Sequence, residues 1–215
     1  MKAREIALSG VMTALVFVVT RTFALPIPQT KGFFNLGEAG VYASALLFGP
    51  LVGALSGGVG SALADLSLGY AQYAPFTLVI KGLEGAVVGL VARTVSPGVW
   101  RFGLGAGAIA AVVLLTAEAF AVRVAAAVLL GVAAGGLLLL RSQGGSRIAA
   151  RVFGMMAGGL IMVVGYFVTQ AYLLGLGVLP ALVEVPYNLV QVSVGTVAGL
   201  AASVAFDRAL PVRPR

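Results

Sequence analysis

The chain contains no cysteine and no histidine. Without cysteine there are no disulfides and no thiolate metal sites, and without histidine the commonest general base and metal ligand is missing. Most hydrolytic and redox mechanisms thereby lose their usual residues. Charge is scarce as well: 10% of the residues are Asp, Glu, Lys or Arg, where a soluble domain carries about a quarter. There is no G-x-x-x-x-G-K phosphate loop, because Gly57, Gly58 and Gly60 belong to an apolar run, so the chain is not expected to hydrolyse ATP. The carboxylates Glu38, Asp65, Glu84 and Glu184 follow neither a D-x-x-D nor an E-x-x-H pattern. Neither a metal nor another cofactor is expected, nor a catalytic residue.

What the chain has in abundance is apolar sequence, 60% of its 215 residues, with a mean hydropathy of +1.06. This is the composition of an integral membrane protein, read as one transmembrane domain over residues 1–215. The net charge is +7, but Lys and Arg are spread over short polar breaks and never interleave with aromatics. They read as topogenic charge in a lipid bilayer and not as a nucleic-acid surface. The basic, then apolar, N-terminus resembles a signal peptide, but its run is long and no A-x-A-like site follows, so it is expected to be the first membrane helix.

About 20 apolar residues cross the hydrocarbon core. Glu5 to Leu25 fits and should close at Pro26 and Pro28, followed by a polar loop to Asn35. Glu38 to Phe48 is short for a span and ends at Gly49-Pro50; Leu51 to Leu68 carries a ridge of Gly53, Gly57, Gly60 and Ala64 for close helix contact. Pro75 opens a fourth helix running to about Arg93. Residues 102–140 read as a helical hairpin turning near Glu118 and Arg123, the competing reading being one helix plus a buried amphipathic piece. Val152 to Leu174 and Leu182 to Phe206 complete the set.

Charge favours the hairpin. Eight crossings put Lys2, Arg4, Arg93, Arg101, Arg141, Arg147, Arg151, Arg208, Arg213 and Arg215 on one side, against Arg21, Lys31, Lys81 and Arg123 on the other. The positive-inside rule then makes both termini cytoplasmic. The first loop, the turn after Asp65, Lys81 with Glu84, and the region from Gly175 to Glu184 fall on the opposite face.

Polar residues gather at that face. Ionisable groups at membrane depth are expensive unless they meet a cavity or a partner. Lys81 and Glu84 are three apart, on one helix face, and suit either a structural ion pair or a ligand. Glu184, Asn188 and Gln191 form a stripe, as do Tyr166 and Gln170. Such amides and phenols suit a neutral heteroaromatic ligand, with Phe33, Phe34, Tyr42, Tyr73 and Tyr166 as stacking faces, or else they bond helix to helix. The mixed charges demand neither a strongly anionic nor a strongly cationic ligand. Asp65, at a helix end beside Gly69-Tyr70, is expected to hold the loop. On the first helix Ala7, Gly10 and Ala14 form a narrow small-residue face, for a partner helix or for packing within the chain.

The run from Asn35 to Gly85, with its FGP and KGLEG stretches, together with MVVGYFVTQAYL and VPYNLVQVSVG, resembles the substrate-binding S components of energy-coupling factor (ECF) vitamin transporters. The similarity, over residues 1–100 and 150–208, is to the riboflavin-type branch, which includes proteins assigned to hydroxymethylpyrimidine or pyridoxine-like substrates. It implies an all-α six-helix bundle in the cytoplasmic membrane that captures a vitamin or vitamin precursor; residues 102–140 depart from that pattern and read as an inserted two-helix hairpin. It implies a transport subunit and not an enzyme, working with a transmembrane T subunit and two ATPase subunits. Gly10-x-x-x-Ala14 stands where the family has the small residues that dock the T subunit. The expected ligand site is Asn35, Glu38, Lys81, Glu84, Tyr166, Asn188 and Gln191, beneath the first loop. The alternative is a stand-alone transporter coupled to protons through Asp65 or Glu184.

Overall fold

A computed structural model describes residues 3–94 and 145–209; the hairpin expected over 102–140 lies outside them. Six helices and one two-stranded ribbon follow in the order α1 (Ala3–Thr22), β1 (Leu25–Ile27), β2 (Gly32–Phe34), α2 (Gly37–Phe48), α3 (Pro50–Leu68), α4 (Ala74–Thr94), α5 (Gly145–Val168) and α6 (Val178–Ala209). All but α2 are long and apolar enough to cross a membrane.

The first helix stops at Thr22, three residues short of the expected Leu25. Leu25–Ile27 instead pairs antiparallel with Gly32–Phe34, matching Pro26 to Phe33. A proline that cannot continue a helix is tolerated in such an edge ribbon, where its missing N–H is not needed. The expected polar loop is therefore a hairpin. At the other end of the sequence α6 starts at Val178 and not at Leu182, because Pro180 falls in its first turn, where backbone N–H groups have no intrahelical acceptor. Between α5 and α6 a five-residue π-helical turn, Thr169–Leu173, was not foreseen.

Helix α2 lies at the centre. It has 12 residues, about 18 Å at 1.5 Å per residue, and cannot cross about 30 Å of hydrocarbon. Apart from Glu38, Tyr42 and Ser44 it is built of apolar and small residues and is buried on most sides, as a helix surrounded by others must be. Tyr42, Val41 and Ala45 pack with Val16 of α1, Val88 of α4 and Met155 of α5 into the main core. A second cluster joins Ile80, Met162, Val163 and Val192. Leu15, Leu63, Leu83, Leu160 and Val197 point outward, a surface suited to lipid.

The glycine ridge of α3 is internal. A Cβ on Gly53 would stand 2.6 Å from Ala45 Cβ and 2.7 Å from the Gly85 carbonyl, so α3 and α4 meet backbone to backbone there. The small-residue face of α1 is the opposite case: Ala7, Gly10 and Ala14 are all exposed, and no atom lies within 4 Å of a Cβ built on Gly10.

Candidate functional site

Because α2 is short, it begins well below the hairpin end of its neighbours. Glu38 in its first turn meets Lys81, the eighth residue of α4, about 10 Å down that helix. Space remains between the hairpin and the start of α2. Asn35 fixes this start: its Oδ1 accepts the Gly37 N–H at 2.8 Å, an Asx turn. The Asn35 N–H donates to Gln191 Oε1 at 2.8 Å, and Gln191 Nε2 donates to Asn188 Oδ1 at 2.8 Å. The hairpin's exit is thus tied to α6 through one amide chain.

Helix α4 turns Thr77, Lys81 and Glu84 inward on one stripe. The Lys81 ammonium donates to Glu38 Oε1 and, at 2.9 Å, to Glu84 Oε2. Glu84 Oε1 accepts from Tyr42 OH at 2.9 Å. One buried cation is therefore shared by two buried carboxylates, each holding the other's partner in place. Thr77 Oγ1 and Tyr166 OH are 3.0 Å apart, joining α4 to α5.

The roof is the ribbon with the α3–α4 turn. Tyr73 OH donates to the Thr30 carbonyl at 2.6 Å, Gln72 Nε2 to the Lys31 carbonyl at 3.4 Å, and the Phe33 and Tyr70 rings lie 4.8 Å apart. Burial, and after it the charge of Glu184, pushes the Tyr73 phenol up, so the hydroxyl keeps its proton for this bond. The turn itself depends on Gly69, left-handed at φ 87°, after which the Tyr70 N–H returns to the Asp65 carbonyl at 2.8 Å.

Beneath the roof is an open-mouthed cavity, about 430 Å³ with the solvent space of its mouth included. Asn35, Glu38, Lys81, Tyr166, Asn188 and Gln191 line it, so the fold brings six of the seven expected residues together. Glu84 is not in the lining; it stands behind Lys81, fully buried. Of the expected stacking faces, Phe33, Tyr73 and Tyr166 reach the cavity. Phe34 does not, and Tyr42 is a core residue whose hydroxyl serves Glu84.

Thr20, Ser61, Asp65, Thr77 and Glu184 also line the cavity. Asp65 holds the turn by its carbonyl, as expected, but its carboxylate faces inward. Thr77 lies four residues before Lys81, and Ser61 four before Asp65, so extending each polar stripe by one turn finds both. Thr20 has no such neighbour in sequence. Among the described residues no group of three His, Cys, Asp or Glu side chains is arranged to hold a metal ion.

The chain is similar to known proteins. Residues 1–127 match the family described as "ECF-type riboflavin transporter, S component". Over 74 residues the chain is 54% identical to an "Uncharacterized protein in gap 3'region" of Pyrococcus woesei, covering 34% of this chain and 49% of that protein. Over 88 residues it is 38% identical to the "Thiamine precursor transporter HmpT" of Lactococcus lactis subsp. cremoris (strain MG1363), covering 40% and 53%. The chain thus spans about half the length of the curated relatives it matches. A solved structure described as "Structure and mechanism of the S component of a bacterial ECF transporter" superposes with a TM-score of 0.51 over 97% of this chain and 96% of its own, at 16% identity, a likeness of fold alone. Since the family match covers more than half of the chain, the protein belongs to the ECF-type riboflavin transporter S-component family.

Proposed function

We propose that this chain is the substrate-capturing subunit of an ECF importer and that a small heteroaromatic vitamin or vitamin precursor binds in the cavity beneath the β1–β2 hairpin. The observation that carries the reading is the convergence of Asn35, Glu38, Lys81, Tyr166, Asn188 and Gln191, from five separate segments, on one buried space. Polar groups at membrane depth are costly, and here they surround a cavity instead of bonding only to one another. Phe33, Tyr73 and Tyr166 supply ring faces, and the amides supply donors and acceptors. The relative named a thiamine precursor transporter points to substrates of that size.

In this reading both termini are cytoplasmic, following the excess of Lys and Arg on that side, and the hairpin faces outward. The exposed face of Ala7, Gly10 and Ala14 docks the T subunit, and partner ATPases supply the energy. Mass spectrometry of small molecules released from protein purified in detergent should identify the ligand. Uptake in cells should require the T subunit and both ATPases. If Lys81→Ala and Asn188→Ala each leave the affinity for that ligand unchanged, the site is elsewhere. Uptake that persists without ATPases and collapses with the proton gradient would instead establish the stand-alone transporter.

A further inference from the structure

Resting on that reading of the cavity, we infer that the site selects a compact cationic, amine-bearing ligand and rejects anionic and phosphorylated ones. The basis is the balance of its lining. Three carboxylates reach the cavity, Glu38 from α2, Asp65 from α3 and Glu184 from α6. They are 1%, 4% and 5% exposed. Lys81 is the one cation among the described lining residues, and it is already shared between Glu38 and Glu84. No positive charge is left over for a phosphate or carboxylate on the ligand.

The free atoms have the same sense. Among the described residues Glu38 Oε2, Asp65 Oδ2 and Glu184 Oε2 have no hydrogen-bond partner. Each is a pure acceptor when ionised, and a buried acceptor left unpaired is costly. The Thr20 and Ser61 hydroxyls, also unpartnered, can turn either way. The three oxygens belong to three helices, so no single fork of donors satisfies them. The complement is a ligand with a protonated or strongly polarised nitrogen and further N–H or O–H donors diverging around a small ring. Phe33, Tyr73 and Tyr166 line the same space, and aromatic faces also favour a cation.

Two matched pairs test the inference on the full chain in lipid nanodiscs by isothermal titration: pyridoxamine against pyridoxine, and thiamine against thiamine monophosphate. Riboflavin serves as a larger, neutral probe, and the co-purified molecule as the reference. The amine should bind about 10-fold tighter than the alcohol, and the phosphate ester about 100-fold weaker than its parent, the scale of one and two charged hydrogen bonds. Asp65→Asn and Glu184→Gln, nearly isosteric and checked for folding by thermal unfolding, should each shrink the ratio within the pairs about 10-fold. Equal binding within the pairs, tighter binding of the ester, or a neutral or anionic co-purified molecule overturns the charge preference while leaving ligand capture intact. If folded protein binds none of the probes and carries no small molecule, ligand capture itself fails and the preference with it.

Discussion

Helices α3 and α4 touch along their whole length, but the two halves of their contact are built on opposite terms. Around Gly53 and Gly85 the backbones come so close that a Cβ on Gly85 would stand 2.2 Å from the Gly53 carbonyl. Towards the hairpin the same pair of helices carries Ser61, Asp65, Thr77 and Lys81 into a cavity. The close half gives up side chains to gain contact area and a fixed geometry. The polar half turns its side chains into the cavity and depends on that geometry, because Lys81 must be held where Glu38 and Glu84 both reach it. A rigid seam at one end holds a charged cavity lining at the other.

The comparison is broken most severely at Lys81. Lys81→Ala strips the cation from two buried carboxylates, and removal of one member of a buried charge cluster costs about 3–5 kcal/mol. A large fall in the thermal unfolding temperature in detergent is expected, with partial recovery in the double variant Lys81→Ala, Glu38→Gln. A Lys81→Ala protein as stable as the parent would show that the cluster does not carry the polar half. Next comes the seam. Gly53→Val drives a side chain into Ala45 and the Gly85 carbonyl, neither of which can rotate away, so about 1–3 kcal/mol is lost. Ligand affinity, measured on the folded fraction, should fall as well, since Lys81 moves with α4. Unchanged affinity would separate the two halves.

Much of this was legible in the sequence, and the exceptions have physical causes. Long apolar runs and prolines at helix starts locate α3, α4 and α6 to within a few residues, because membrane helices satisfy their backbone internally, whereas α5 begins at Gly145, well before the expected Val152. The polar stripes on α4 and α6 pick out Lys81, Glu184, Asn188 and Gln191 of the cavity lining by periodicity. The β ribbon escapes such a reading, since three residues per strand give no alternation and its pairing depends on contacts across a turn. Glu84 and Lys81 are equally polar and three residues apart, yet one is behind the site and the other in it; only the position of α2, with Tyr42 and Glu38, decides which. Likewise Asp65 reads as a helix-end residue in sequence, while its carboxylate shares with Ser61 the face of α3 that lines the cavity.

Asn188 sharpens the comparison within the polar half. Its Oδ1 is engaged by Gln191, and loss of the side chain leaves no buried charge behind. Asn188→Ala should therefore lower ligand affinity by about 10-fold, about 1.4 kcal/mol, with a much smaller fall in unfolding temperature than Lys81→Ala, since only the Gln191 amide loses an acceptor. A large loss of stability in its place would make Asn188 a structural residue of the α6 chain and not a ligand contact.

The smallest effect on the isolated protein is expected at the second small-residue face. Gly10 has the residue type of the α3 seam but none of its surroundings, being exposed with nothing near its Cβ position. If small residues act only through what they touch, Gly10→Leu leaves thermal unfolding and ligand affinity unchanged, because on this protein it touches nothing among the described residues. In cells the same substitution should abolish uptake, since a helix approaching Ala7, Gly10 and Ala14 as closely as α4 approaches Gly53 has no room for the added side chain. Uptake at the parental level would mean that the T subunit docks elsewhere. A fall in stability would mean that α1 already packs against another part of this chain.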